Sequence, residues 1–389
     1  MKWILSFGVV WMLASCKPLA TVSSSSVAFD DAADRMLLYQ RSNGGWPQYN
    51  GKPTNYSQSV PENVRSKVTS EKNAQDATMD DGITSTEIEY LLKAYSSTSN
   101  REYLIAAQKG ISYLLTAQNA AGGWPQRYPN LKSYYGHITY NDQAMIDVMK
   151  LLKEVGEGKG EYQSVENSLR TRAKAAVEKG IQCILKTQVR QKGKLTVWCA
   201  QHHPKTLKPA KGRSFEPPSL SGAESVHIVR FLMAIEKPPA AIRTAISSAI
   251  DWFEENKIVG WNFKEIKDSS QPMGRDRVVY KDSRSIIWAR FYELNTNRPI
   301  FTGKNGVVKY ALADIDNKRR VSWYQIWKRI GVSRKKIRTG FIICWLFGGY
   351  STSFNLSLLN WIQMKLIIGF IHLSLPGAIL TIHLLFLFW

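Results

Sequence analysis

The chain predicts an all-α dominated fold, an α/α toroid: a barrel of helical hairpins with long loops forming a cleft on one rim. The pentapeptide GGWPQ occurs at 44–48 and again at 122–126, with weaker echoes ending in Trp198 and Trp261. These tryptophans stand about 60 to 80 residues apart, which leaves room for a helical hairpin and a loop. Two kinds of amphipathic helix alternate between them.

The first kind precedes each tryptophan: Met36 to Gln40, Ile111 to Leu115, Ile181 to Leu185 and Ala249 to Phe253. The second kind begins near Gly82, with Ile88, Leu91, Leu92 and Tyr95 on one face, and near Asp142, with Met145, Val148, Met149 and Leu152. It recurs near Gly222 and near Ser283, where Ile287, Phe291 and Leu294 make the stripe. The GGW turns join one kind to the other, so they share a rim with those helix starts. Asp80, Asp81, Asn141, Asp142, Arg213 and the predicted Arg290 helix gather there, with Trp46 and Trp124 expected beside them.

Residues 213–225 read RSFEPPSLSGAES. The Pro-Pro pair excludes helix, and Ser221 with Glu224 then predicts a capping box. Arg213 and Glu216 therefore sit on a stiffened loop ahead of a helix.

A hydrophobic fraction of 44% in 389 residues is ample for a large core. The formal charge of +21 is uneven: from Lys318 onward there are ten Lys/Arg and no acid. A basic body suits an anionic partner or simply solubility. Met-Lys-Trp, an apolar run and Leu13-Ala14-Ser15-Cys16 form a secretory leader over 1–15 that is similar to a bacterial lipobox. A lipidated Cys16 would anchor the chain to the membrane, with 16–28 as a flexible tether. The remaining cysteines form neither a disulfide framework nor a CxxC metal site. Residues 328–389 turn basic and then apolar, read either as an atypical, frame-shifted terminus or as a membrane segment.

On the rim, Asp80-Asp81 and Asn141-Asp142 are either N-caps or oxygen ligands for a hard cation such as Ca2+. Arg213, Arg290 and Lys304 come from three segments, and arginine forks suit carboxylates. Arg290 could instead pair with Glu293, and Lys304 could lie on a solvated turn. His202 and His203 read as loop residues and not as a metal pair, because adjacent side chains on a strand point to opposite faces and rarely share one metal.

The blocks GGWPQ, TMDDGITSTEIEYLL, YNDQAMIDVMKLL, GRSFEPPSLSGAES and IIWARFYELNTNRPIFTGKNG resemble the polysaccharide lyase family 10 pectate lyases, over roughly Ala33 to Trp327. The resemblance implies a catalytic domain over 29–327 that cleaves polygalacturonate by calcium-assisted β-elimination, giving unsaturated oligogalacturonates. It implies Asp80, Asp81 and Asp142 at the metal, Arg213 as catalytic base, and Arg290 and Lys304 on the substrate; Trp46 and Trp124, set on the same rim by the repeat, are expected to bind substrate beside them. Asp81 stands where an asparagine is common, and Lys304 where an arginine is expected. Arg319-Arg320-Val321-Ser322-Trp323-Tyr324 approximates the family's closing segment without its Gly-Tyr. The partner expected is acidic polysaccharide and not nucleic acid, the enzyme a monomer, and the location the bacterial cell envelope or, alternatively, the medium. The rival is an inactive surface glycan-binding protein. A terpene-cyclase-like barrel, whose QW motif Gln40-x3-Gly44-x-Trp46 resembles, needs an apolar cavity that this polar rim does not offer.

Overall fold

The structure is a computed structural model that describes residues 29–323 and, beyond them, the antiparallel strand pair Leu373–Leu375 and Ala378–Leu380. The leader, Cys16, the tether and the tail beyond Trp323, apart from that strand pair, lie outside the described residues. The chain divides at Val332, and the strand pair belongs to the second unit. Among the described residues no helix is long and apolar enough to cross a membrane.

The first unit contains helices α1 (Asp31–Tyr39), α2 (Glu62–Ser70), α3 (Ser85–Thr98), α4 (Arg101–Ala117), α5 (Ala144–Glu157), α6 (Asn167–Thr187), α7 (Gly222–Met233), α8 (Ala240–Glu255) and α9 (Asn317–Trp323). Helix α3 packs on α4, α5 on α6 and α7 on α8. Their apolar stripes supply the buried core, including Ile88, Leu91, Leu114, Met149, Ile184 and Leu232.

The repeat is a clamp between successive hairpins. Gln40 donates its amide to Gly44 O at 2.8 Å and to Ala106 O of α4 at 2.9 Å. Gln118 does the same to Gly122 O and Ala176 O of α6, and Gln188 to Thr196 O and Ala245 O of α8. The indoles of Trp46, Trp124 and Trp198 donate at 2.8 Å to Met36, Leu114 and Ile184 carbonyls on the helices just completed. Gly44 and Gly122 sit at φ +95° and +89°, and a Cβ on either would lie 2.3 Å from the carbonyl oxygen of Lys109 or Lys179. Only glycine fits both that backbone and that approach.

The expected all-α toroid is corrected: the fold mixes helices with several small sheets. Strands β1 (Ile138–Thr139) and β4 (Gln201–His202) pair, as do β2 (Arg190–Gln191) and β3 (Lys194–Leu195). Strands β5 (Leu220–Ser221), β8 (Phe291–Tyr292), β9 (Pro299–Thr302) and β10 (Val308–Lys309) form one antiparallel sheet in the order β10-β9-β8-β5. A long hairpin joins β6 (Ile258–Lys267) to β7 (Arg275–Ile287).

That hairpin lies where a helix was expected near Ser283. The β-branched and aromatic residues Val278, Val279, Tyr280, Ile286 and Ile287 favour strand. Ile287 ends β7 and Phe291 lies in β8, yet both are buried in one apolar cluster with Ile300, Leu312 and Ile315. The spacing that imitated a helix face comes from two strand ends returning to the same core. Trp261 is not a turn tryptophan either: it lies in β6, with the Lys281 ammonium 4.0 Å from its ring centroid. The indole that caps α8 is Trp288, which donates to Phe253 O at 2.8 Å.

Candidate functional site

Each tryptophan carbonyl fixes the segment that leads to the next polar turn. Trp46 O accepts Thr78 N at 2.9 Å, Trp124 O accepts Thr139 N at 3.0 Å, and Trp198 O accepts Ser221 N at 2.7 Å. Three residues after each of these donors stand Asp81, Asp142 and Glu224. The repeat thus delivers one carboxylate per unit to one rim.

The first two turns are short 3-10 segments, Asp80–Gly82 and Asn141–Gln143. Asp81 and Asp142 have φ +53° and +49°, a left-handed conformation that costs a non-glycine residue on the order of 1 kcal/mol. The surroundings impose it: Met79 N donates to Gln126 O, while Tyr140 N and Asn141 N both donate to Ala200 O. In consequence, carboxylate oxygens of Asp80, Asp81 and Asp142 all lie within 4.8 Å of one another.

Burial first, and then the charge of Asp81, raises the pKa of Asp80 against the opposing pull of Gln126, Arg213 and Arg127. Asp142 is pushed up to about 6, by burial against the charge of Arg290, with Glu224 and Asp80 adding to the rise. Asp80 Oδ1 and Gln126 Oε1 are buried acceptors with no hydrogen-bond partner among the described residues. An all-oxygen donor set with mutual repulsion and an orphaned acceptor fits a hard divalent cation.

Around this cluster opens a cavity of about 410 Å³. Its lining includes Asp80, Asp81 and Asp142, the cations Arg127, Arg213, Arg290 and Arg319, and the rings of Tyr134, Tyr135 and Phe215. Arg213 is seated by Glu216, which is 2% exposed. One oxygen of Glu216 accepts Arg213 Nε at 3.0 Å and also Nη2; the other accepts the Arg213 backbone N–H at 2.9 Å. Burial would lower the pKa of Arg213, but the hydrogen bonds and charge of Glu216, and then the charge of Asp142, outweigh it and raise it. Arg213 Nη2 is 3.8 Å from Asp142 Oδ2.

Arg290 lies at the bend between β7 and β8, not in a helix. It donates to Asn141 Oδ1 at 2.9 Å and to Glu224 Oε1 at 3.1 Å. Its partner acid is therefore Glu224 and not Glu293, which accepts from Tyr310 OH at 2.6 Å. Ser221 also donates to the Glu224 carboxylate and makes no backbone cap, so the expected capping box is replaced by a Ser221–Glu224–Arg290 chain. The capping-box contact forms instead at Thr84, whose N–H is accepted by Glu87 at 2.7 Å.

Several expected residues are placed elsewhere. Trp46 and Trp124 are 0% exposed and present no ring to a sugar; the reading of them as cleft-lining side chains is corrected. The final glutamines of the same pentapeptides, Gln48 and Gln126, reach the cleft in their stead. Lys304 does not line the cavity; its carbonyl accepts from Ser214 Oγ and its N–H is held by Asp316. His202 is in strand β4, fully buried, with Nδ1 bonded to Leu207 O and Nε2 accepting Cys199 N, so it is structural.

Sequence reasoning missed Arg319, Tyr134, Tyr135 and Phe215. By sequence Arg319 belongs only to the segment that approximates the family's closing block, with no role in the site. In the fold it stacks 4.0 Å from the Phe215 ring centroid, while Arg213 lies 5.0 Å from the same ring. Burial, followed by the charge of Arg213, lowers the Arg319 pKa, and its Nε is buried with no partner among the described residues. The run of cations around Lys318 hid the one that turns inward.

Acids from two repeated turns, facing arginines from three other segments across an open cleft, define a site for a carboxylate-bearing chain. Two solved structures to which the chain is similar are family 10 polysaccharide lyases. A family 10 polysaccharide lyase from Cellvibrio cellulosa is 34% identical, over 76% of this chain and 86% of its own, with a TM-score of 0.66. A mutant of family 10 polysaccharide lyase from the same organism, in complex with trigalacturonic acid, is 32% identical over 82% and 92%, with a TM-score of 0.67. No curated protein matches the chain. The protein is a polysaccharide lyase. Residues 40–330 match the pectic acid lyase family, and the chain belongs to it.

Proposed function

We propose that the protein cleaves polygalacturonate by β-elimination, with Ca2+ held by Asp80, Asp81 and Asp142. The observation that carries this reading is the convergence of those carboxylates with Arg213, Arg290 and Arg319 in one cleft. Elimination removes the proton on the ring carbon beside the uronate carboxylate, breaks the bond to the glycosidic oxygen, which leaves as a hydroxyl on taking a proton from water, and leaves a carbon–carbon double bond. A bound divalent cation would neutralise that carboxylate and so acidify the proton.

Arg290, fixed by Glu224 and Asn141, presents a preset charge to the uronate. Arg319, whose Nε has no partner among the described residues, offers a guanidinium fork for a carboxylate where Lys304 does not reach. Arg213 stands beside Asp142 and takes the proton as base. In this state Glu216 and Asp142 hold it protonated, so the base role requires that Asp142 be engaged elsewhere and that Arg290 and Arg319 press on the guanidinium. The same protonated state favours a second reading, a glycan-binding protein in which Arg213 only grips uronates.

The experiment is the ultraviolet absorbance of unsaturated product from polygalacturonate, with calcium and with chelator. The lyase reading expects a calcium-dependent rise, abolished in Arg213→Ala while substrate binding persists. Binding without absorbance in the unaltered protein selects the second reading. We also infer attachment to the bacterial cell envelope through lipidated Cys16; Cys16→Ser should release the enzyme from membranes, and unchanged fractionation rejects the anchor.

A further inference from the structure

We propose that the loop from His203 to Arg213 is a second, cationic binding ledge that holds the acidic polysaccharide beyond the catalytic cleft, so that long chains bind better than short ones. This rests on the cleft being a polygalacturonate site.

The sequence there is HPKTLKPAKGR, with three lysines and no acid. Lys205, Lys208 and Lys211 are exposed, and none has a carboxylate partner among the described residues. Surface charge kept for solubility is normally interspersed in sign. A run of one sign, left unpaired beside a binding cleft, raises the local concentration of an oppositely charged polymer.

The loop is also held in shape. His203 N donates to Lys208 O at 2.9 Å, Leu207 N to His203 O at 2.8 Å, and Ala210 N to Gln201 O at 2.9 Å. The buried His202 ring ties Leu207 O from beneath at 2.9 Å. The lysines therefore project from a fixed backbone, which lowers the ordering cost of binding.

It begins where the cleft ends. Arg213 closes the loop and lines the cavity. His137, whose N–H donates to the O of cleft-lining Tyr134 at 3.1 Å, hydrogen-bonds the Lys211 backbone, and its ring centroid lies 6.1 Å from that of His203. A uronate chain leaving the cleft past Tyr134 meets Lys211 first. Polygalacturonate, with one carboxylate per sugar, matches a row of unpaired ammonium groups.

The test is the triple variant Lys205→Gln, Lys208→Gln, Lys211→Gln in the full chain, with thermal unfolding as the folding control. Two substrates are compared, trigalacturonate and long polygalacturonate, each at low and at high salt. We expect KM for the polymer to rise about tenfold at low salt and its salt dependence to flatten, with trimer kinetics unchanged within about twofold. An equal shift on both substrates, or none on the polymer, overturns the ledge. Retardation in gels containing polygalacturonate, measured on the same proteins, reads the ledge without catalysis. If the unaltered enzyme gives no unsaturated product, the lyase reading fails, yet loss of retardation in the triple variant still supports the ledge and unchanged retardation still rejects it.

Discussion

The acids of the cleft, with Arg127 just after the second pentapeptide, and its other three arginines reach it by different routes. The acid-bearing half, from α1 to α6, is a repeat: a glutamine clamp, a tight glycine turn, a buried tryptophan, then a carboxylate-bearing turn. The arginine-bearing half takes Arg213 from a loop, Arg290 from a strand bend and Arg319 from α9. In the first half position follows from local sequence, and in the second from what packs against what. Stability should therefore be most sensitive in the repeat, and substrate affinity in the arginine half.

The largest stability effect is expected at Gly122. Gly122→Ala places a Cβ 2.3 Å from Lys179 O at φ +89°, and should cost about 3 kcal/mol or more, read by denaturant unfolding. A loss below about 1 kcal/mol would mean that the clamp yields, and the repeat is not the rigid half.

Acid should come next. The pKa of buried His202 is lowered from 6.5 to about 4, by burial ahead of any partner. The unfolded chain therefore binds a proton that the folded one refuses. This contribution is fully present above pH 6.5 and is lost as pH falls toward 4, about 3 kcal/mol in all. Thermal unfolding between pH 7 and pH 4.5 should show that fall, and His202→Gln should flatten it.

In the arginine half, Arg319→Ala should raise KM for polygalacturonate about tenfold, while denaturant stability moves by less than about 1 kcal/mol. Arg319→Lys should recover only part of the affinity, because the ammonium cannot form the fork. Equal KM values for the native, Lys and Ala forms would remove Arg319 from the substrate. The smallest change in KM belongs to Trp124→Phe. It should cost about 1–2 kcal/mol through the orphaned Leu114 carbonyl, with KM unaltered. A KM increase there, without a matching loss of stability, would return the tryptophan to the cleft.

Much of the site was legible because its acids are written twice. Asp80-Asp81 and Asn141-Asp142 each follow a GGWPQ turn and precede an apolar stripe, so periodicity alone set them on one rim. The same pentapeptide misled at its tryptophans. A large ring beside a polar turn reads equally well as sugar platform or core, and only 0% exposure decides for core. The all-α expectation failed at Ile287 and Phe291, where period-four spacing arose from two strands meeting in one cluster.

By itself, then, the sequence determined the helical hairpins, the glycine turns, the acid pairs and the family resemblance. Each depends on contacts within a few residues or on a repeated motif. Tertiary structure alone decided that Arg290 answers to Glu224, that Lys304 stays outside the cavity, and that Arg319 enters beside Phe215. Those pairings join residues far apart in the chain, and a charge finds its partner by where the backbone carries it, which no local pattern records.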